Sequence, residues 1–233
     1  QVWYDKSSGV LKSVVALKAW SSSAALGTAR YGMASLGSQT ANVVAGGSPL
    51  PFSLLNVAEE YNGSGWTSIP NIGTARYNLS GTGTNTAGVI FGGNYPTRFG
   101  ETEEWNGSSW SEQNDLNTPR RLPGGSGSQT DALAVAGDQG PSTTVTSDVE
   151  EYNGTSWSEQ NNIPTAVRGG ASAGTTSATS MFFGGYTGTA RVSNNFEYDG
   201  TNWTTGGSLN TGRNELSASG TKSAGLAFAG NAG

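Results

Sequence analysis

Residues 76–110 read RYNLSGTGTNTAGVIFGGNYPTRFGETEEWNGSSW, and the order of features in this stretch decides the fold. It opens on Arg76 and continues to an apolar run, residues 87–91, that stops at the pair Gly92-Gly93. A run of about five apolar, β-prone residues reads as a short buried strand. A segment without pattern then leads to Glu104-Trp105-Asn106-Gly107. Asn-Gly is a strong hairpin signal, because both residues accept the positive φ of a type I′ turn. Trp110 follows, and ten residues later comes the next arginine, Arg120.

The same order recurs along the whole chain. The arginines Arg30, Arg76, Arg120, Arg168 and Arg213 are separated by 46, 44, 48 and 45 residues. About sixteen residues after each comes a small pair: Gly46-Gly47, Gly92-Gly93, Ala136-Gly137, Gly184-Gly185 and Ala229-Gly230. Each pair ends an apolar run, at 41–45, 87–91, 132–135, 180–183 and 224–228. Next come Glu60-Tyr61-Asn62-Gly63, Glu104-Trp105-Asn106-Gly107, Glu151-Tyr152-Asn153-Gly154 and Glu197-Tyr198-Asp199-Gly200, with tryptophans at Trp66, Trp110, Trp157 and Trp203. A repeat of this length fixes the architecture before any single element is assigned. Each unit reads as four short antiparallel strands joined by tight turns, which is one blade of a β-propeller.

This order of Arg, Gly-Gly, Glu-Tyr and Trp resembles the kelch repeat, and the resemblance covers essentially the full chain. It implies an all-β, five-bladed propeller whose units are 30–75, 76–119, 120–167, 168–212, and 213–233 completed by 1–29. Kelch domains usually carry six or seven blades of about 50 residues, so five shorter blades depart from the pattern.

The last expected unit follows from the chain ends. The fifth repeat runs only as far as its small pair, while Trp20 lies 10 residues before Arg30, the offset of the other tryptophans. Val2 to Tyr4 and Val10 to Leu17 read as two strands around a turn, although Val15 rather than Tyr4 holds the tyrosine offset from Trp20. N-terminal strands are therefore expected to complete the C-terminal blade, closing the ring and removing an open sheet edge.

Composition agrees and excludes several kinds of chemistry. With 36 glycines, 12 % charged residues and 34 % hydrophobic residues, the chain suits many short strands and tight turns rather than long helices. A net charge of −5 and a pI near 4.7 argue against nucleic acid as a partner, which clustered Lys and Arg would track. There is no histidine and no cysteine, so disulfides, thiol nucleophiles, Ser-His-Asp triads and the common zinc and copper ligands are missing. No apolar run approaches the roughly 20 residues of a membrane-spanning helix, so membrane insertion is not expected.

Residues that recur in every blade are read as scaffold, because catalysis needs one asymmetric constellation with separated pKa values. The arginines are expected to pair with Glu60, Glu104, Glu151 or Glu197, and the tyrosines and tryptophans to pack within and between blades. Asp131, Asp138 and Asp148 fall in one blade without the spacing of a calcium loop, so no metal site, no cofactor and no catalytic residue is assigned. Five Asn-X-Ser/Thr matches, three of them at the hairpin Asn-Gly, are read as turn chemistry.

Function on such a scaffold is expected where the blades differ, in the segments after the small pairs. These segments hold Pro49, Leu50, Pro51, Phe52, Leu54 and Leu55 in one blade, Tyr95, Arg98 and Phe99 in the next, and Tyr186 and Arg191 in the fourth. Loops at one repeat position emerge on one face, so together they form the candidate binding face. Near-identical blades with little lysine and turns of Gly, Ser, Thr and Asn are similar to kelch-like repeats of bacteriophage tail-fibre and virion surface proteins. That resemblance implies a non-enzymatic virion component at the particle surface, with other virion proteins, bacterial surface glycan or a second copy of itself as partner. The alternative is a multivalent lectin that stacks sugars on the repeated aromatics.

Overall fold

In the computed structural model the described residues are 2–5, 10–13, 22–140 and 144–232. They form a β-propeller of four-stranded antiparallel blades. The first blade comprises Ala34–Gly37, Asn42–Ala45, Ala58–Tyr61 and Trp66–Ile69. The second comprises Ser80–Gly83, Gly88–Phe91, Thr102–Trp105 and Trp110–Gln113. The third comprises Gly124–Ser128, Asp131–Asp138, Val145–Tyr152 and Trp157–Gln160, and the fourth Ala171–Ala173, Met181–Phe183, Asn195–Tyr198 and Trp203–Thr205. In the fifth place the strands Ser217–Thr221 and Ala224–Phe228 form a two-stranded sheet. The N-terminal pair Val2–Asp5 and Val10–Ser13 forms a second one, in the register Val2↔Ser13, which matches the two strands expected there. Residues 14–17 of the expected second strand, Trp20 and the turn at 6–9 lie outside the described residues.

Burial explains why the second strand of each blade lacks polar alternation. Its residues point alternately into the two neighbouring blades, so both faces are covered. Val43 and Ala45 pack with Ile90 of the second blade, and Val89 and Phe91 with Ala134 of the third. Leu133 and Val135 pack with Phe182, and Met181 and Phe183 with Ala227. The first strands of successive blades pack side by side and are rich in small residues because they crowd. A Cβ on Gly125 would lie 2.6 Å from Ser80 Oγ of the blade before. Polar links follow the same line, with Thr82 Oγ1 donating to the Gly127 carbonyl at 2.7 Å and Gly127 N–H to the Gly174 carbonyl at 3.0 Å.

The Asn-Gly hairpins differ from the two-residue type I′ turns expected of them. The closing pairs are Tyr61↔Trp66, Trp105↔Trp110, Tyr152↔Trp157 and Tyr198↔Trp203, so each loop holds four residues. Only the glycines take positive φ, for example Gly63 at 92° and Gly107 at 91°. The Asn62 side-chain oxygen instead accepts from the N–H groups of Ser64 and Gly65, both at 3.0 Å, an Asx turn that satisfies the loop from within. Asn106, Asn153 and Asp199 act alike. The aromatic pairs that close these loops lie 4.8 to 5.1 Å apart between ring centroids.

The repeated arginines are scaffold, with two corrections. Their partners are Glu59, Glu103 and Glu150, one residue before those expected. Strand alternation is the reason: Glu60 and Glu104 face the neighbouring blade, where Glu60 accepts from Asn85 Nδ2 and Glu104 from the Tyr152 hydroxyl. Arg76 Nη1 meets Glu103 Oε1 at 2.9 Å, and Arg120 Nη2 meets Glu150 Oε1 at 2.5 Å. Each glutamate also accepts backbone N–H groups from the segment entering its blade, such as Asn117 and Thr118 at Glu150.

The second correction concerns Arg168. Gly47, Gly93 and Gly185 donate to the carbonyls of Arg76, Arg120 and Arg213, but Gly137 donates to that of Val167. Val167 therefore holds the repeat position in the fourth blade, and the glutamate position there is Phe196. Both are buried in one apolar cluster. Arg168 stands one residue further on and belongs to a different site.

Candidate functional site

After each repeat arginine, or Val167, one residue bridges to the residue that follows the small pair. These bridges are Tyr31↔Ser48, Tyr77↔Asn94, Arg121↔Asp138, Arg168↔Tyr186 and Asn214↔Asn231. The scaffold thus presents, once per blade and on one face, a pair of side chains whose combination differs from blade to blade. The unequal loops expected to carry function border the same ring.

Over the first two blades this face is aromatic. Phe52 packs edge-on against Tyr77 at 5.2 Å and Tyr95 at 5.1 Å between centroids, and Tyr31 against Tyr77 at 6.1 Å. Tyr31, Phe52 and Tyr95 remain 43 %, 43 % and 47 % exposed, and Leu50 is 84 % exposed. Pro49, Leu54 and Leu55 are partly covered, with Leu55 N–H donating to the Gly47 carbonyl at 3.0 Å, whereas Pro51 is exposed. The 48–57 loop therefore lies back over its blade at its far end and presents its tip. Tyr95 holds φ at 115°, a region that bulky side chains rarely enter.

Over the second to fourth blades the face is cationic. Asp138 is fully buried, and three arginines from three blades converge on it. Arg98 Nη2 reaches Oδ1 at 2.8 Å, Arg121 reaches Oδ2 through Nε at 3.0 Å and Nη2 at 2.8 Å, and Arg168 Nη1 reaches Oδ2 at 2.9 Å. Burial pushes the Asp138 carboxyl up, but hydrogen bonds from the three guanidinium groups together outweigh it and hold the group below its ordinary value. Such a carboxylate is a poor proton donor or base; it is a hub. Beyond it, the Arg168 and Arg191 guanidiniums lie 5.4 and 5.9 Å from the Tyr186 ring centroid. Arg191 Nε donates to Asn214 Oδ1 at 2.9 Å.

One short loop joins the two sectors. Tyr95 and Arg98 flank its turn, Asn94 bridges to Arg98, and the following Phe99 is partly covered, its N–H donating to the Gly93 carbonyl at 2.9 Å. Of the residues singled out from sequence, Phe52 with Tyr95, and Tyr186 with Arg191, come together in contact. Tyr31, Tyr77 and Arg121 went unrecognised as members of this face. Their signal is that the residue after the repeat arginine varies between blades, and the misplacement of Arg168 by one residue hid that column.

The repeated aromatics are occupied elsewhere. Trp105, Tyr152 and Tyr198 are buried, and the indole N–H groups of Trp66, Trp110 and Trp157 donate to Ala24 O, Pro70 O and Thr102 Oγ1 of adjoining segments. Among the described residues no group of three or more Asp and Glu is placed to hold a metal ion. No protein-family model matches the chain, and no curated protein sequence matches it significantly.

Proposed function

We propose that this chain is a non-enzymatic, kelch-like binding propeller that serves as a bacteriophage virion surface or appendage component, meeting its partner through the face of unequal loops. The observation that carries this reading is the contrast between scaffold and face. Recurring residues are engaged in Arg–Glu links and aromatic pairs, whereas the exposed aromatics and clustered arginines occupy positions whose residue changes around the ring. A rigid ring with one individualised face is suited to recognition. Its partner is then a bacterial surface glycan or another virion protein, and its place is the outside of the particle.

A multivalent lectin built on the repeated tyrosines and tryptophans is the weaker reading, since those rings are packed between strands and most of their indole N–H groups are already used. The test is immunogold labelling, with antiserum raised against the purified chain, of phage particles from the host that carries its coding sequence. Gold on the particle surface is the expected result. Label confined to lysate, with bare particles, overturns the virion assignment.

A further inference from the structure

We propose that Arg98, Arg121, Arg168 and Arg191 form an anion subsite that takes the acidic group of a saccharide, with the Phe52–Tyr77–Tyr95 cluster as the shelf on which its sugar rings rest. This rests on the loop face being the binding face, and not on the identity of the particle.

The charge distribution is the first argument. The chain has eight arginines, and four of them gather here, three on the Asp138 carboxylate and Arg191 against Tyr186. Asp138 neutralises one charge, and among the described residues Arg191 pairs with no carboxylate, so the cluster retains a net positive charge in a chain whose formal charge is −5. Arg98, Arg121 and Arg168 are held by Asp138 yet keep 18 to 23 % of their side chains exposed. Guanidiniums fixed in orientation by one carboxylate lose little freedom when they bind a second oxyanion, and their planar forks match carboxylate or phosphate.

The neighbourhood selects among anions. Tyr186, lying against two guanidiniums, and the exposed Tyr95 and Phe52, joined to the cluster through the 94–98 turn, offer ring faces and edges rather than further charge. A sugar presents apolar C–H faces to such rings and its acid to the arginines. A long polyanion such as nucleic acid is disfavoured, because its field extends far beyond this one basic patch onto a chain of net negative charge.

Isothermal titration of the full chain tests this with three probes: trigalacturonate, the neutral trisaccharide galactotriose, and galactose 6-phosphate. At least one acidic probe should bind about tenfold or more tighter than its neutral counterpart, galactotriose or galactose, and weaken as salt is raised. Which acidic probe wins separates a carboxylated from a phosphorylated ligand. Arg191→Gln, which leaves every Asp138 contact in place, should weaken that binding about fivefold or more with an unchanged melting temperature. Acidic and neutral probes binding alike, no binding by any probe, or Arg191→Gln and Arg98→Gln titrating as the parent does while remaining folded, overturns the subsite. Gold-labelled particles with no acidic-sugar binding would sink this inference alone, and acidic-sugar binding without labelled particles would sink the virion reading alone.

Discussion

Val167 and Phe196 occupy, in the fourth blade, the places that Arg120 and Glu150 occupy in the third, so an apolar pair replaces a buried ion pair within one ring. Arg120 and Glu150 are both fully buried, and Val167 and Phe196 are equally enclosed. Desolvating two charges offsets most of what their attraction gains, so either solution is compatible with the fold as long as both members change together. Glu150→Ala strands the Arg120 charge and should cost about 3–5 kcal/mol in urea denaturation. The double variant Arg120→Val, Glu150→Phe should recover more than half of that loss. A double variant as unstable as the single one would mean that the ion pair does something an apolar pair cannot.

Asp138 should give the propeller an acid-sensitive clamp. Its folded-state pKa lies below the ordinary carboxyl value, because three guanidinium hydrogen bonds outweigh its burial. The native state therefore holds on to the ionised form while the unfolded chain is already taking up a proton. The stabilisation is complete above the unfolded carboxyl pKa, about 4, and is lost as pH falls through the folded value. Asp138→Asn should lower stability at pH 7 by about 2–4 kcal/mol, since it removes charged hydrogen bonds from three arginines at once. It should also flatten the fall in stability between about pH 4 and pH 2. Parallel stability-against-pH curves for parent and variant would show that Asp138 is not the clamp.

The propeller was legible because its signals are local and repeated: a small pair after an apolar run, then an aromatic, an Asn-Gly and a tryptophan. What escaped was any feature set by strand parity or by one-residue shifts. Choosing Glu59 over Glu60 as arginine partner needs the face on which each side chain emerges, and two adjacent glutamates conceal it. Arg168 attracted the repeat register simply by being an arginine. The glycines held the better clue, since Gly37, Gly83, Gly127 and Gly220 each lie seven residues after the repeat position, and Gly174 lies seven after Val167. The binding face was half legible for a related reason: loops announce themselves by irregularity, whereas Asp138 sits at the end of a regular strand and draws its partners from three blades.

Ring closure can be examined by shortening the chain. In the complete blades the second strand pairs on both sides, as Ile90 does with Gly81 and Glu103. Ala224–Phe228 pairs with Ser217–Thr221, and Leu226 is half exposed, whereas its counterparts Val43, Val89 and Leu133 are fully buried. If N-terminal strands complete this blade, removing residues 1–21 frees a strand edge beside an apolar side chain. Light scattering during gel filtration should then show concentration-dependent association, together with a lower melting temperature. A truncated chain that stays monomeric and equally stable would rule out closure by those strands.

Two glycine positions with positive φ should lose unequal amounts of stability on the same substitution. Gly46 has φ of 68°, and the equivalent places in the third and fifth blades are filled by Ala136 and Ala229, both at 59°. The left-handed region costs an alanine about 1–2 kcal/mol, and two blades already tolerate it. Gly46→Ala should therefore fold, with a loss of that size after the Arg76 carbonyl, 2.7 Å from the new Cβ, shifts slightly. Gly127 has φ of 105°, outside the left-handed well, and glycine fills the corresponding place at Gly37, Gly83, Gly174 and Gly220. A Cβ there would lie 2.0 Å from the Asp131 carbonyl of its own hairpin, where both strands are held by ladder hydrogen bonds and cannot separate cheaply. Gly127→Ala should cost about 3 kcal/mol or more and weaken the adjoining contact to Gly174. Thermal denaturation of the two variants side by side decides the matter: equal losses would mean that the repeated glycine at the end of the first strand is there for composition and not for geometry.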